Sequence, residues 1–327
     1  MIVLNPKKKK TFSILLKAAI LILAFGFIFQ KLSNNQNIAN FKSLAEALSP
    51  QSVYITLIVV FALMFLNWFL ESLKWKFLVQ RIEKISTWKA VESVFCGLTW
   101  AVFTPNRIGE YGGRVFFLSP RKRIMGAIAM GVGAIGQMVV TNLLGSLALL
   151  WFAGSFFTPN ILIYYALTFL VLVFCGFFLL FYFNIRWLEG LLLRIKFLKP
   201  FHKFFSILGR YKKRELWQVF IYCLSRFAVF TTQYCLIIYL LVPQIALFDM
   251  VMMIFILFFI QSALPSLDLL DVGVRSMTAT YFFGYITNQD VAIMAATACI
   301  WLVNLIIPAI LGSVFVLKLN FFGNNNN

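Results

Sequence analysis

The sequence has 327 residues, of which 61% are apolar and only 12% are charged, whereas a soluble domain averages about 25% charged residues. This balance excludes an ordinary water-soluble enzyme or binding domain and predicts an all-α polytopic membrane protein. The net charge of +18 would suggest nucleic acid for a soluble chain. Here the basic residues lie between apolar stretches, so we expect no nucleic-acid partner and attribute the charge to membrane topology and to contact with anionic lipid.

Stretches long enough to cross a bilayer, about 20 residues each, recur along the chain. They cover residues 12–30, 51–73, 124–153, 159–183, 216–242 and 290–317. Four lysines precede the first stretch, as in a signal peptide, but no small-residue cleavage site follows it. We therefore expect a basic cytoplasmic N-terminus, residues 1–11, before an uncleaved span. The Asn-rich residues 318–327 are expected to form a disordered C-terminal tail.

Two further segments, residues 88–120 and 247–286, each contain two short helical stretches around a proline, Pro105 or Pro265. The order along the chain is therefore span, span, broken hairpin, span, and then the same again. Each half has an odd number of crossings. The pattern thus predicts two inverted repeats, residues 12–153 and 154–317, each with three transmembrane helices and one re-entrant broken hairpin.

The basic residues predict orientation. They are concentrated before the first span, between the second span and the first hairpin, at Arg121–Arg123, and in residues 187–214. The opposite connections carry only Lys31 and Lys42. The positive-inside rule then places both termini in the cytoplasm, with the protein in the cytoplasmic (inner) membrane. Residues 187–214 mix aromatic and basic side chains, and we expect them to form an amphipathic segment on the anionic leaflet.

A five-residue pattern occurs once in each hairpin. Residues 110–114 read Glu-Tyr-Gly-Gly-Arg, and residues 271–275, which start 161 positions later, read Asp-Val-Gly-Val-Arg. Ionised side chains inside a membrane are costly, and they normally line a pathway or pair with one another. The acid and the arginine are four residues apart, so on a helix they share one face and can pair.

We interpret the two motifs as a substrate site. Each proline allows a second short helix to begin inside the membrane, with free backbone N–H groups that bind anions. Arginine adds a planar donor fork that suits phosphate, and glycine leaves room for a headgroup or another backbone. The candidate binding residues are those of the motifs and four others at the breaks or inside a span: Asn106, Arg107, Glu110, Gly112, Gly113, Arg114, Arg226, Asp268, Asp271, Gly273 and Arg275.

The residues leave alternatives open. Each acid and arginine could only neutralise one another and hold the hairpin in place. The acids Glu110 and Asp271 could also orient the arginines, contact a cationic headgroup or take up a proton. Glu71 is assigned to a local pair with Lys74 or Lys76, and Gln137 to hydrogen bonding between helices or to the site.

The sequence offers little for catalysis or for a cofactor. All five cysteines fall inside apolar stretches without a Cys-x-x-Cys pair, and His202 is the single histidine. We therefore expect no metal site and no cofactor. No nucleotide-binding motif and no nucleophile paired with a base can be recognised, so the sequence argues against an enzyme.

The motifs resemble those of a known family. Residues 74–78 are similar to the basic-Trp-basic run that ends its second span, residues 103–114 to its Pro- and Gly-rich signature, and residues 265–273 to its second motif. Over about residues 12–317 the chain resembles the transmembrane region of lysylphosphatidylglycerol synthase. This is a flippase-like family that also occurs as stand-alone membrane proteins. The chain departs from it in Ser266–Asp268, where the family tends to be glycine-rich, and in Gln137, where an acid or arginine is common.

The resemblance implies lipid translocation. No aminoacyl-transferase domain follows the last span of this sequence, so we expect movement of a lipid and not lysyl transfer. The expected substrate is an anionic phospholipid or a polyprenyl-phosphate-linked headgroup, moved between leaflets, and a homodimer is compatible with the sequence. The alternatives are an integral membrane lipid or glycosyl transferase and an accessory membrane subunit of a glycosyltransferase.

Overall fold

The computed structural model describes residues 35–102, 104, 107–195, 202–264 and 271–317, and over these ranges the chain is built from helices without β-strands. Five helical stretches are long and apolar enough to cross a membrane: Pro50–Val79, Pro120–Phe157, Ile161–Phe183, Lys213–Leu241 and Asp290–Val316. They correspond to five of the six predicted spans. The other, residues 12–30, lies outside the described residues, as do residues 1–11 and 318–327. The chain is therefore an all-α polytopic membrane protein.

The helices follow one another with short connections. In chain order they are α1 (Asn35–Ala47), α2 (Pro50–Val79), α3 (Thr87–Val102), α4 (Ile108–Val115), α5 (Arg123–Phe152), α6 (Ile161–Phe183), α7 (Arg186–Arg194), α8 (His202–Arg210), α9 (Lys213–Leu241), α10 (Leu247–Ala263), α11 (Asp271–Phe283), α12 (Asp290–Trp301) and α13 (Ile307–Leu317). A 3₁₀ turn, Pro120–Lys122, precedes α5. A π turn, Ala153–Phe157, extends α5, and a second, Leu302–Ile306, joins α12 to α13.

Local sequence signals set several helix starts. Proline at the first position of α2 has a fixed φ that suits a helix start, and Ser49 Oγ accepts from the backbone N–H of Ser52 at 3.1 Å. Asn160 caps α6 in the same way through Leu162 N at 3.0 Å. The two helices begin close to the predicted span starts, residues 51 and 159.

Each predicted hairpin is present as two short helices that pack on each other, α3 with α4 and α10 with α11. The longest of these, α10, has 17 residues, so none reaches the about 20 residues that a crossing needs. In the first pair one helix ends at Val102 and the next begins at Ile108, and in the second pair one ends at Ala263 and the next begins at Asp271. Pro105 and Pro265 lie between these helix ends in the sequence, outside the described residues.

The hairpin of each predicted half packs on a helix of the other predicted half. The first hairpin packs through α3 on α13, the end of the last span, whereas the second packs through α10 on α5, the last span of the first half. The equivalent spans α2 and α9 pack along each other. Two repeats related by a two-fold axis would produce this arrangement, and the inverted repeat itself stays a prediction.

The segment predicted to be amphipathic contains two short helices, α7 and α8, which pack together. Residues 196–201 between them lie outside the described part of the chain. Ile207 and Leu208 of α8 are buried, and α8 contacts α5. Next to α8, the hydroxyl of Tyr211 donates to the carbonyl of Leu78 at 2.7 Å. The segment is therefore attached to the end of α2 and to α5.

Candidate functional site

Glu71 on α2 is the centre of a buried ion-pair network. Its carboxylate binds Lys74 Nζ at 2.7 Å and Arg114 Nη1 at 2.6 Å, and it also pairs with Arg226 Nη1. The Glu71, Lys74 and Arg114 side chains are 7%, 4% and 2% exposed, respectively. Charges this deeply buried are stable only when paired. One carboxylate therefore forms ion pairs with three cations, which lie on three different helices.

Arg114 connects the network to the first hairpin. Its second terminal nitrogen pairs with Glu110, one helical turn earlier on α4. Glu110 also binds Arg107 Nε at 3.1 Å. The pairing expected from the four-residue spacing is thus present in the first motif.

Arg226 is held in a fixed orientation on α9. Its Nε donates to Asn67 Oδ1 at 3.0 Å, and its Nη1 pairs with Glu71. The guanidinium carbon lies 5.3 Å from the centroid of the Trp68 ring, a cation–π distance. The side chain still keeps 15% of its surface exposed, so an immobilised guanidinium remains accessible to a ligand.

A cavity of about 350 Å³ lies beside the network, and three arginines reach its wall: Arg107, Arg226 and Arg275. They come from the start of α4, from α9, and from the first turns of α11. Arg275 Nη1 also donates to Gln261 Oε1 at 2.8 Å. Both hairpins therefore contribute an arginine to one cavity, and no acid lines it among the described residues. Its volume is in the usual range for small-molecule sites.

Part of the cavity wall is aromatic. Phe227, Phe230 and Tyr234 follow Arg226 along α9, and Phe258 faces them from α10. The Phe230 and Phe258 rings stack with centroids 5.1 Å apart, and the centroid of Tyr234 lies 5.4 Å from that of Phe258. Such contacts fix the rings, so the cavity wall combines cationic side chains with rigid aromatic ones.

The backbone at the first break is unusual at Arg107. This residue has φ 57° and ψ 25°, in the left-handed region, which costs a side-chain-bearing residue roughly 1–2 kcal/mol. Strain of this kind persists where the surroundings fix it, and it is concentrated at functional sites. Thr104 Oγ1 stabilises the turn by accepting from Gly109 N at 2.7 Å. The turn begins α4 with Arg107 at the cavity.

The adjacent motif glycines Gly112 and Gly113 differ in how closely neighbouring atoms pack against them. A Cβ at Gly113 would lie 2.6 Å from the Cα of Gly97, and a Cβ at Gly97 would lie 2.9 Å from Cγ of Arg114. Close packing of α4 on α3, and with it the position of Arg114, therefore requires glycine at both positions. A Cβ at Gly112 would have no neighbouring atom within 4 Å. Gly273 is buried in α11.

The structure divides the residues singled out in the sequence into two groups. Arg107, Arg226 and Arg275 line the cavity, whereas Glu110 and Arg114 lie in the ion-pair network beside it. The remaining candidates lie outside the described side chains: Asn106, Asp268 and Asp271. Of the two motif arginines, Arg275 therefore reaches the cavity wall, whereas Arg114 lies in the buried network.

Sequence reasoning missed the importance of Glu71. The predicted pair with Lys74 is present, but the same carboxylate also binds Arg114 and Arg226, which are 43 and 155 positions away. Local spacing cannot reveal such partners. The available signal was that Glu71 is the single acid in a 30-residue apolar helix, because an intramembrane acid implies a partner or a function.

Metal-binding side chains are not grouped near the site. Within the described ranges, no three His, Cys, Asp or Glu residues are placed to hold a metal ion. Cys223, which approaches the network, has its Sγ 3.9 Å from Lys74 Nζ and 3.7 Å from the carbonyl of Gly133. The chemistry that these groups offer is binding of an anion through guanidinium N–H donors.

The family model described as Lysylphosphatidylglycerol synthase TM region matches residues 14–312 of the chain. The match includes both motifs, Glu71 and every residue of the cavity wall. The comparison with curated proteins found no similar sequence. The family match therefore rests on nearly the whole transmembrane part of the chain and not on the short motifs alone.

Proposed function

Because the chain belongs to the lysylphosphatidylglycerol synthase TM region family, we propose that it is a lipid flippase-like transporter. Its substrate is an anionic phospholipid or a polyprenyl-phosphate-linked headgroup, moved between leaflets. The observation that carries the proposal is the cavity with three arginines between two broken hairpins of a membrane-spanning bundle. A charged headgroup needs a polar path of this kind to pass the hydrocarbon core.

The charge balance of the network favours an anion in the cavity. Glu71 and Glu110 are the carboxylates that pair with Lys74, Arg114 and Arg226. Arg226 has only a share of the negative charge of Glu71, because Lys74 and Arg114 bind the same carboxylate. Buried charge that is incompletely neutralised is costly. A phosphate next to Arg226 supplies the missing charge and accepts hydrogen bonds from the guanidinium.

The proposal gives the two groups of residues different roles. Arg107, Arg226 and Arg275 bind the phosphate, since they reach the cavity wall. Glu71 is a positioning residue that holds Arg226 in place. Arg114, which is almost fully buried, ties the first hairpin to α2 through the same carboxylate.

The packing of the hairpins suggests how the site is exposed to each leaflet. Each hairpin lies on the last span of the other half, so rocking of one half against the other moves both hairpins relative to the cavity. Inverted-repeat transporters alternate access in this way. From the distribution of basic residues we further propose that both termini are cytoplasmic and that the protein is in the inner membrane.

The direct test is reconstitution of the purified protein alone into liposomes that contain a fluorescent phosphatidylglycerol. Addition of dithionite, which does not cross the membrane, reports how fast inner-leaflet lipid appears outside. We expect protein-dependent bleaching of the inner-leaflet pool. A rate equal to that of protein-free liposomes contradicts the proposal and favours an accessory subunit that needs a partner enzyme.

A further inference from the structure

Four buried polar atoms of the cavity-lining residues have no hydrogen-bond partner in the described part of the chain. They are Trp68 Nε1, Gln137 Oε1, Gln261 Nε2 and Asn304 Oδ1. Buried polar groups are nearly always hydrogen-bonded, and an orphaned one demands an explanation. Other buried polar atoms without a partner, such as Trp75 Nε1 and Gln233 Oε1, lie away from this cavity. The four around the cavity are the ones that a single ligand can satisfy together.

The neighbours of these atoms determine which act as donors and which as acceptors. Gln261 Oε1 already accepts from Arg275, so Gln261 offers its Nε2 as a donor. Asn304 Nδ2 donates to a backbone carbonyl at 3.3 Å, so Asn304 offers its Oδ1 as an acceptor. The Trp68 indole can only donate, and the Gln137 amide can do either after rotation. The cavity thus presents donors and acceptors together.

The four side chains come from separate elements and converge on the cavity. Trp68 lies on α2, Gln137 on α5, Gln261 on α10 and Asn304 in the π turn Leu302–Ile306. Asn304 is only 6% exposed. π turns inside helices are often found at functional sites. The acceptor therefore belongs to a locally distorted, buried segment and not to a solvated surface.

The chemistry of these atoms restricts the ligand beyond its phosphate. A phosphodiester accepts hydrogen bonds from arginine, indole and amide N–H groups, but it cannot donate to Asn304 Oδ1. An ammonium group donates but cannot accept, and the three arginines of the wall repel it, with no acid among the described lining residues to compensate. A hydroxyl does both, and the stacked Phe230 and Phe258 rings offer an apolar face for the carbon skeleton of a polyol or a sugar.

Building on the transport function proposed above, we infer that the substrate headgroup is a phosphodiester of an uncharged, polyhydroxylated alcohol, of the class of glycerol, inositol or a hexose. The arginines bind the phosphate, and the orphaned amides bind the hydroxyl groups. The cavity volume of about 350 Å³ suits one such group.

Binding to the full-length protein in detergent tests this inference. Phosphatidylglycerol and phosphatidylpropanol have the same charge and can carry the same acyl chains, and they differ in two hydroxyl groups. We expect phosphatidylglycerol or phosphatidylinositol to raise the melting temperature at a concentration at least about tenfold below that of phosphatidylpropanol. Equal potency of all three lipids overturns the inference, and so does stronger stabilisation by phosphatidylethanolamine, which carries an ammonium group.

The variant Asn304→Leu gives a second readout. Removing an orphaned buried acceptor should leave the lipid-free melting temperature unchanged or raised. The ratio between the stabilising concentrations of phosphatidylpropanol and phosphatidylglycerol should fall towards one. The matched control is Ser313→Ala on α13, whose exposed hydroxyl bonds only within its helix, to Ile310 O at 2.6 Å. A full preference in Asn304→Leu overturns the assignment.

Binding and transport fail in different ways. If phosphatidylglycerol binds with the expected preference but does not move in liposomes, the transport function is contradicted while the ligand class stands. If phosphatidylglycerol and phosphatidylpropanol move and bind alike, transport stands while the ligand class is contradicted.

Discussion

Glu71 and Arg226 form an ion pair between α2 and α9, across 155 positions of the chain. The pair joins two long apolar helices that pack along each other. Because Glu71 also binds Arg114, a single carboxylate connects an arginine of the cavity wall to the first hairpin. Any anion that competes with Glu71 for Arg226 must therefore affect the contact between α2 and α9.

Removing the charge of Glu71 should destabilise the protein strongly. Glu71→Gln leaves Lys74, Arg114 and Arg226 without their shared carboxylate, and breaking a buried pair costs roughly 3–5 kcal/mol. We expect a large fall in melting temperature in detergent. The double variant Glu71→Gln with Lys74→Met should recover part of the loss. An unchanged melting temperature of the single variant contradicts the network.

The two adjacent motif glycines provide a matched pair. Gly113→Ala forces a Cβ to within 2.6 Å of Gly97 Cα, and such overpacking typically costs about 1–3 kcal/mol. Gly112→Ala adds a Cβ into open space and should stabilise the helix by roughly 0.5–1 kcal/mol. Melting temperatures of the two variants should therefore move in opposite directions. A similar fall in both contradicts the close α3–α4 contact.

Low pH should destabilise the folded loop after α2, which contains Glu83. Burial raises the pKa of the Glu83 carboxyl, but the Ser119 N–H bond at 3.0 Å and the charges of Lys122 and Lys89 outweigh it and hold the pKa below its usual range. A lowered folded-state pKa gives stability that is present above the unfolded-state pKa of about 4.5 and is lost as the pH falls through the lower folded-state value. We therefore expect the melting temperature to fall more steeply below pH 4.5 in the wild type than in Glu83→Gln. Equal slopes contradict this assignment.

The topology can be tested at the connection after the first hairpin. In a background without the five native cysteines, Lys122→Cys should be labelled by a membrane-impermeant thiol reagent only after the cells are opened, because Lys122 belongs to a basic cluster expected in the cytoplasm. A cysteine at Asn288, in the connection between α11 and α12, serves as the outside control. Labelling of Lys122→Cys in intact cells contradicts the re-entrant hairpin.

The sequence predicted the parts of the fold that depend on local signals. Five spans follow from apolar length, and the Glu110–Arg114 pair follows from the helical period. Contacts between distant segments were not predictable. The sequence indicated that Arg226 is functional or paired, but nothing near Arg226 pointed to Asn67 or Glu71, 159 and 155 positions away. Gln137 was assigned to helix contacts or to the site, and the structure places it in the cavity wall.

The most direct test of the central claim is the initial rate of phosphatidylglycerol movement in liposomes by variants that each remove one positive charge. Arg226→Gln and Arg275→Gln, both in the cavity wall, should each lower the rate at least about tenfold, since a charge-assisted hydrogen bond to phosphate contributes about 1.5–3 kcal/mol. Arg226→Lys should restore it only partly, because an ammonium cannot form the bidentate fork. The control Arg121→Gln, at an exposed position outside the cavity, should keep the wild-type rate. Wild-type rates in both cavity variants, measured on protein with an unchanged melting temperature, would contradict the claim that these arginines carry the headgroup.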